Sequence, residues 1–373
     1  MAFSPASPNA FDVNLIPKHI RDKFFLEQLM QTNLSRFMGT SETSMIQVIR
    51  KESGSGLTSN FTLARDIDYK LEGTGYDQIS GKGQELRFYE DTINIDLKFH
   101  VDKLQGTQLV KLTTPIDVYS RMKPALLRAG SQKLNYSILE SATFGNYGSN
   151  YAAGPVADRV VYGSAGGAGY NASMITAADA LVGNAYNNGG TSVQAIMDLR
   201  DMAVNGGTDY AGNKRLTPYM LKNHEGAPDP YWVYMLSTAA YKSLKADPAW
   251  TQFVYRGVIE SANQPSRIRG SFFKGQIENV LIYEVPELGD FKLTTAQGFA
   301  RDNAWNLFCG AQAFGVIYHG SPWFAQEISN MGTCIEMARL EFRGNKAIKF
   351  PSYRASDNGV PIENGIIHHI TRL

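Results

Sequence analysis

The sequence predicts an α+β fold, and three observations carry that reading. Residues 84–101 alternate apolar and polar side chains almost without error, the period of a β-strand with one dry and one wet face. Residues 114–144 keep a rough helical spacing of apolar side chains. The remaining elements mix strands and helices without a regular strand–helix–strand alternation, which favours α+β over a doubly wound α/β fold.

Taken in order, residues 1–16 are small and polar, with Pro5 and Pro8, and read as an extended arm. Pro17 opens a helix through about Met38, made apolar by Phe24, Phe25, Leu29, Leu34 and Phe37 and stopped by a left-handed Gly39. Residues 44–50 are a strand or a short helical turn. A long hairpin follows. Its first strand, 60–71, places Phe61, Leu63, Ile67, Tyr69 and Leu71 on one side. Its second places Ile93, Ile95, Leu97, Phe99 and Val101 opposite Thr92, Asn94, Asp96, Lys98 and His100. Between them GTGYDQISGKG (73–83) supplies Gly73, Gly75, Gly81 and Gly83 and no apolar run, a loose tip. Twelve strand residues reach about 40 Å, comparable to the width of a small domain. A two-stranded hairpin alone is marginal in water. Its apolar face therefore needs a cover, either the rest of an antiparallel sheet or another subunit.

Thr114–Pro115–Ile116–Asp117 is a helix start, with Thr as N-cap, Pro in the first turn and an acid near the positive end of the dipole. Val118, Met122, Leu126, Leu134, Ile138 and Ala142 continue the pattern, and Pro124 is expected to kink or split it near Lys123. Residues 145–173 are rich in Gly, Ala and Asn and read as loop, with a short strand at 159–162. A helix is expected at 192–204, capped by Ser192 or Thr191, then a buried strand at 231–236. Ser237 caps a helix at 238–246 that stops at Asp247–Pro248, and a short helix is expected near 250–255. Strands follow at 280–284 and 307–309, the latter turning at Gly310, and closing strands at 335–343 and 346–350.

The chain has 373 residues, 43% apolar, enough for two or three domains with a sizeable core. With 36 basic and 35 acidic residues the net charge is +1, whereas tight nucleic-acid binding leaves a basic excess. No run of eighteen apolar residues exists, so no membrane span is expected. The start, MAFSPASPNAFDVN, lacks the basic and apolar regions of a secretory signal. Cys309 and Cys334 form no metal or redox spacing and are expected to be free thiols.

The catalytic inventory is short. GSAGGAGYNAS (163–173) lacks the Lys–Ser/Thr end of a phosphate loop. His19, His100, His224, His319, His368 and His369 show no metal spacing, and the adjacent pair 368–369 reads as part of an extended tail with side chains pointing apart. Asp66 and Asp68 sit too close on one strand to flank a scissile bond. No catalytic, cofactor-binding or metal-ligating residue is assigned, no cofactor is expected, and the chain reads as a non-enzyme working through its surfaces.

Several segments, in order, resemble the major capsid proteins of tailed bacteriophages, of the N-four-like podovirus type. KFFLEQLMQTNLSRF (23–37) resembles that family's arm helix, and GKGQELRFYEDTINID (81–96) its hairpin. Residues 114–142 sit where it has its long helix. YWVYMLSTAAYKSLKADPAW (231–250), FKGQIENVLIYEVPEL (273–288), LFCGAQAFGVIY (307–318) and GNKAIKF (344–350) resemble its later strand and turn segments, with Ala347 where the family often has a second Lys. The resemblance implies the Johnson, or Hong Kong 97-type, fold. It implies an N-terminal arm at 1–45, an extended hairpin loop at 46–110 and a peripheral domain with the spine helix at 111–149. An axial domain at 150–329 and a C-terminal return to the peripheral domain at 330–373 would complete it.

The resemblance implies a structural coat protein that assembles with itself, through hexamers and pentamers, into an icosahedral head enclosing double-stranded DNA without sequence-specific binding. Scaffolding protein, portal and decoration proteins would be partners, and assembly would occur in the host cytoplasm. An encapsulin-like shell or another virion component is the alternative, and an enzyme with a dispersed active site a more distant one. The intersubunit contact is expected at Gly73, Gly75, Gly81, Lys82, Gly83, Glu85, Arg87, Asp91, Ile93, Ile95, Leu97, Lys98 and Phe99. Lys82 would be the donor if subunits form Lys–Asn crosslinks.

Overall fold

Two β-sheets share one apolar core, and a long helix closes one face of the smaller sheet. The computed structural model describes residues 33–51, 56–64, 88–105, 118–143, 159–162, 190–205, 215–222, 228–251, 272–291, 303–329, 334–351 and 361–372. The expected arm, most of its helix, the hairpin tip and most of the glycine-rich stretch lie outside these residues.

In chain order the strands are β1 (Met38–Gly39), β2 (Ile46–Lys51), β3 (Thr58–Ala64), β4 (Phe88–Asn94), β5 (Asp96–Gln105), β6 (Val160–Tyr162), β7 (Tyr219–Lys222) and β8 (Pro228–Leu236). They continue as β9 (Phe273–Ile277), β10 (Val280–Glu284), β11 (Asn303–Cys309), β12 (Phe314–Ser329), β13 (Cys334–Ala347), β14 (Lys349–Pro351), β15 (Pro361–Glu363) and β16 (Ile366–Arg372). Three α-helices are α1 (Val118–Ala142), α2 (Val193–Asn205) and α3 (Thr238–Ala246), and 248–251 are helical as well.

The smaller sheet runs β1-β2-β12-β13-β5, so β5 is an edge. Its backbone is the β12–β13 hairpin, paired antiparallel from Phe314 opposite Ala347 to Ser329 opposite Cys334. Along β13 the sequence alternates, so Arg339, Glu341 and Arg343 share one face and Ala338, Leu340 and Phe342 the other. Helix α1 lies over the charged face. A Cβ on Gly130 would sit 2.5 Å from Arg339 Nη1, so a side chain there would have to displace the guanidinium. Beneath it Arg339 Nη2 meets Glu341 Oε2 at 2.5 Å and Arg343 Nη1 meets Glu341 Oε1 at 2.9 Å, with side chains at most 2% exposed. Further along, Leu134, Ile138 and Ala142 recur every four residues and turn the helix into the main core.

Two expectations are corrected here. Pro124 was expected to kink or split the helix, yet 118–142 is one continuous helix that contains it. Pro124 lies within the first two turns and is itself solvent-exposed, so its ring meets water rather than the packed core. The helix expected through Met38 does not extend over its last residues: Ser35–Phe37 is a 3-10 turn, followed by extended β1, and 17–32 lie outside the described residues. Gly39 is not a left-handed stop; a side chain there would collide with Ser44 Oγ, so glycine serves a close approach.

The larger sheet runs β6-β16-β11-β8-β10-β9, with β7 paired to β8. β11 is buried along its whole length and β8 over its last five residues, which is why they read as near-continuous apolar runs. One face meets the main core through Val233, Met235, Trp305 and Leu307. The other packs Trp232, Tyr234 and Phe308 against α2 and α3. The predicted caps are present. Ser192 Oγ accepts from Ala195 N–H at 3.2 Å, and Ser237 Oγ accepts from Ala240 N–H at 3.2 Å. Asp247 Oδ2, just past α3, also accepts the Val193 N–H of α2 at 2.8 Å.

The histidines read as tail lie in β16, which pairs with both β11 and β6, and both are fully buried. They do point apart. Trp305 Nε1–H donates to His368 Nδ1 at 3.0 Å, which leaves Nε2–H for Glu363. His369 Nδ1 meets the Tyr234 hydroxyl at 2.5 Å on the opposite face. Of the segment 330–373, then, β13 runs beneath α1 while β16 belongs to the larger sheet; β12, placed in 150–329, lies in the smaller one.

The buried triad generates a stability prediction. Glu341→Ala strands two desolvated guanidinium groups and is expected to destabilise the unassembled subunit by about 3–5 kcal/mol in chemical denaturation. A loss below about 1 kcal/mol, the value for an exposed pair, would contradict the burial.

Candidate intersubunit surface

The hairpin expected from alternation exists: β3 pairs antiparallel with β4, from Thr58 opposite Asn94 to Ala64 opposite Phe88. Its second strand is divided, however. Ile95 falls outside both β4 and β5, its N–H bonded to Leu57 O at 2.8 Å, and β5 leaves the hairpin to pair with β13. One alternating stretch therefore serves two sheets.

The base of the hairpin docks on its own subunit. Phe61, Ile93 and Ile95 pack with Ile317, Ile348 and Phe350 on the sheet face opposite α1. Two glycines permit this contact. A Cβ on Gly315 would lie 2.7 Å from Ile93 Cδ1 and 2.8 Å from Phe61 Cζ, and one on Gly344 would strike the Asn94 carbonyl oxygen. Asp91 fastens the same base: Oδ1 ion-pairs with Lys346 Nζ at 2.6 Å and Oδ2 accepts the Lys349 N–H at 2.8 Å.

The sequence-predicted site residues other than Lys98 thus fall into three groups. Gly73, Gly75, Gly81, Lys82, Gly83, Glu85 and Arg87 lie outside the described residues. Asp91, Ile93 and Ile95 are engaged inside the subunit. Leu97 and Phe99 are exposed, 46% and 64%, and Val101 extends their row at 52%. Across β13 these three stand opposite Phe342, Leu340 and Ala338. The result is an apolar strip on an edge strand, where single exposed apolar residues would pass without comment.

The other face of β5 is polar. Lys98 reaches Asp96 at 3.4 Å, and His100 faces the Arg339–Glu341–Arg343 group and Lys133 of α1. Burial first, then the neighbouring Arg339, Arg343 and Lys133 charges, hold the His100 pKa below its ordinary value, against the pull of Glu341. Sequence reading missed the triad. Its only signal was Arg–Leu–Glu–Phe–Arg alternation in β13, which normally marks a solvated face.

Among the described residues no cluster of His, Cys, Asp and Glu could hold a metal, and no helix is long and apolar enough to cross a membrane. The Trp305–His368–Glu363 group is buried. Cys309 and Cys334 are both free and buried, as expected, and burial pushes the Cys309 thiol well above the usual range.

The model of the family described as phage capsid protein matches residues 12–368. By structure the chain is similar to the capsid of Ralstonia phage GP4, with a TM-score of 0.67 and 21% identity over 90% of this chain and 89% of that one. The capsid of cyanophage Pam1 gives 0.66 and 20%, over 92% and 93% of the two chains. The acidic stable capsid of Helicobacter pylori bacteriophage KHP30 gives 0.65 and 11%, over 92% and 91%. Among curated proteins none matches the sequence.

Two outcomes are expected. Gly344→Ala should push β4 off the sheet, lowering amide protection over 88–94 by about tenfold or more while 366–372 keeps its own. Because the fold favours neutral His100, stability should be full above its ordinary pKa of 6.5 and fall as pH drops below it, as the unfolded chain takes up the proton first. His100→Gln should flatten that acid limb in thermal unfolding between pH 7.5 and 5; an unchanged limb would assign it to other groups.

Proposed function

This chain belongs to the phage capsid protein family, and we propose that within the head it builds, strand β5 and the hairpin beyond it form a contact between neighbouring copies. The family membership makes it a structural major capsid protein with a Hong Kong 97-type fold, forming the phage head. The finer reading rests on one observation. Leu97, Phe99 and Val101 are exposed in line on an edge strand. Burying three such side chains contributes roughly 1.5–3 kcal/mol each if covered completely. Repeated around a closed shell, contacts of that size suffice, because each copy is held by several neighbours at once.

On this reading Gly73, Gly75, Gly81, Lys82, Gly83, Glu85 and Arg87 extend the contact beyond the docked base. The divisions 1–45, 46–110, 111–149, 150–329 and 330–373 serve as arm, hairpin loop, spine-helix unit, axial unit and return, with β12 and β16 crossing between the last two. The near-neutral chain encloses DNA without holding it tightly. Scaffolding, portal and decoration proteins are its further partners, the role involves no catalytic step, and assembly takes place in the host cytoplasm.

Phe99→Asp is the direct test. The side chain is exposed, so the subunit's own stability should change by no more than about 0.5 kcal/mol. Shell formation, followed by sedimentation and electron microscopy, should be lost or strongly reduced. Normal shells from Phe99→Asp would refute the contact. Deleting 73–83 should likewise impair assembly while leaving subunit unfolding unchanged.

A further inference from the structure

We propose that β5 pairs antiparallel with the β5 of a second copy across a two-fold axis at His100, joining two smaller sheets edge to edge. The inference rests on reading β5 as a contact between copies, and it names the partner strand and the register. β5 is the last strand of its sheet and runs from Asp96 to Gln105. On one side β13 holds it, from Asp96 opposite Arg343 to Gln105 opposite Cys334. Among the described residues no strand lies on the other side. Every second residue of such an edge turns its N–H and C=O outward, a template for another strand.

Proteins blunt open edges with Pro, with bulges or with charge. Residues 96–105 contain no Pro, and their register with β13 is unbroken by a bulge. What the edge carries is charge of both signs, and that charge selects the partner. Asp96, Lys98 and Asp102 are exposed and alternate onto the side of His100. No cation pairs with Asp102 among the described residues. Lys98 meets Asp96, two residues along its own strand, at 3.4 Å with side chains 45% and 69% exposed. A pair this wet is weak and leaves the ammonium open to a second carboxylate.

Centred on His100, two antiparallel copies set Lys98 of each opposite Asp102 of the other, a pair made twice because the contact is isologous. On the opposite face Phe99 stands across from Val101, also twice, so the two exposed strips become one. Leu97 stands across from Lys103, whose methylene stem covers it while the ammonium keeps Glu336 at 2.8 Å. The pairing runs from residue 96 opposite 104, nearly the whole strand. Centring on Phe99 instead would set Asp96 against Asp102 at both ends, where like charges repel. A centre midway between two residues would set the apolar face of one strand against the polar face of the other.

The test mixes full-length Phe99→Cys and Val101→Cys chains, assembles them and oxidises the product. The two positions stand directly opposite in this register, so a disulfide-linked dimer is expected on a non-reducing gel. Phe99→Cys alone should give almost none, because residue 99 and its own copy lie about 8 Å apart, beyond disulfide reach. The native Cys309 and Cys334 are buried, and wild-type shells serve as the blank. A dimer from Phe99→Cys alone, or none from the mixture, would overturn the pairing. In parallel, Lys98→Asp and Asp102→Lys should each lower the yield of shells about tenfold at low salt. The chain carrying both changes should recover the yield, with subunit unfolding unchanged throughout; no recovery would overturn the register. If Phe99→Asp abolishes shells while the mixture gives no dimer, the pairing fails alone. If Phe99→Asp shells are normal, the contact reading fails with it.

Discussion

Much of this structure depends on three charges held out of water. Arg339, Glu341 and Arg343 lie between β13 and α1, and one carboxylate bridges two guanidinium groups. Apolar side chains could have joined helix to sheet with less desolvation cost. An ionic seam is more exacting, because its geometry is good only when the helix sits at one height and one rotation. Gly130 sets the height, since any side chain there would displace Arg339. Ser137 fixes the rotation, its hydroxyl near Arg343 and its carbonyl oxygen accepting from Asn345 Nδ2 at 2.7 Å. The helix position in turn decides which face of β5 is polar and which is bare.

The second constraint is the crossing between sheets. Residues Gly310–Ala313 carry the chain from β11 in the larger sheet to β12 in the smaller one. Their backbone is tied on all sides: Gly310 N–H to Gly365 O and Ala311 N–H to Thr217 O, both at 2.8 Å, then Gln312 N–H to Ser44 O at 2.8 Å and Ala313 N–H to Met45 O at 2.9 Å. Gln312 adopts φ 48°, an αL conformation uncommon outside glycine, while its side chain reaches Gln47 Oε1 and Thr62 O at 3.2 Å each. Four distant segments meet at this turn, so the two sheets and the hairpin base behave as one packed unit.

Local pattern made part of this legible. The caps at Ser192 and Ser237, the strands at 231–236 and 280–284 and the alternation of 84–101 all follow from neighbours a few residues apart. What stayed hidden depended on distant partners. No local rule says that Ile93 and Ile95 go inward while Leu97 and Phe99 stay out, because the pattern is unbroken and the division is made by where β13 captures the strand. Likewise a charged row in β13 looks solvated until a helix with Gly130 is laid over it. The His368–His369 pair looked like a tail because its partners, Trp305 and Tyr234, lie more than sixty and more than a hundred residues away.

The place of β16 has a consequence for how the chain is made. It is the last strand along the described chain, yet it sits inside the larger sheet, with β11 on one side and β6 on the other. That strand cannot pair until residues 366–372 have left the ribosome, and its native contacts reach back some two hundred residues to β6. Until then β11 presents an open edge and the core behind it is incomplete. Synthesis therefore acts as a timer. A nascent chain that stops short of β16 remains unfinished on the very sheet that gives the subunit its shape, and only one made through β16 has a fixed outline to offer its neighbours.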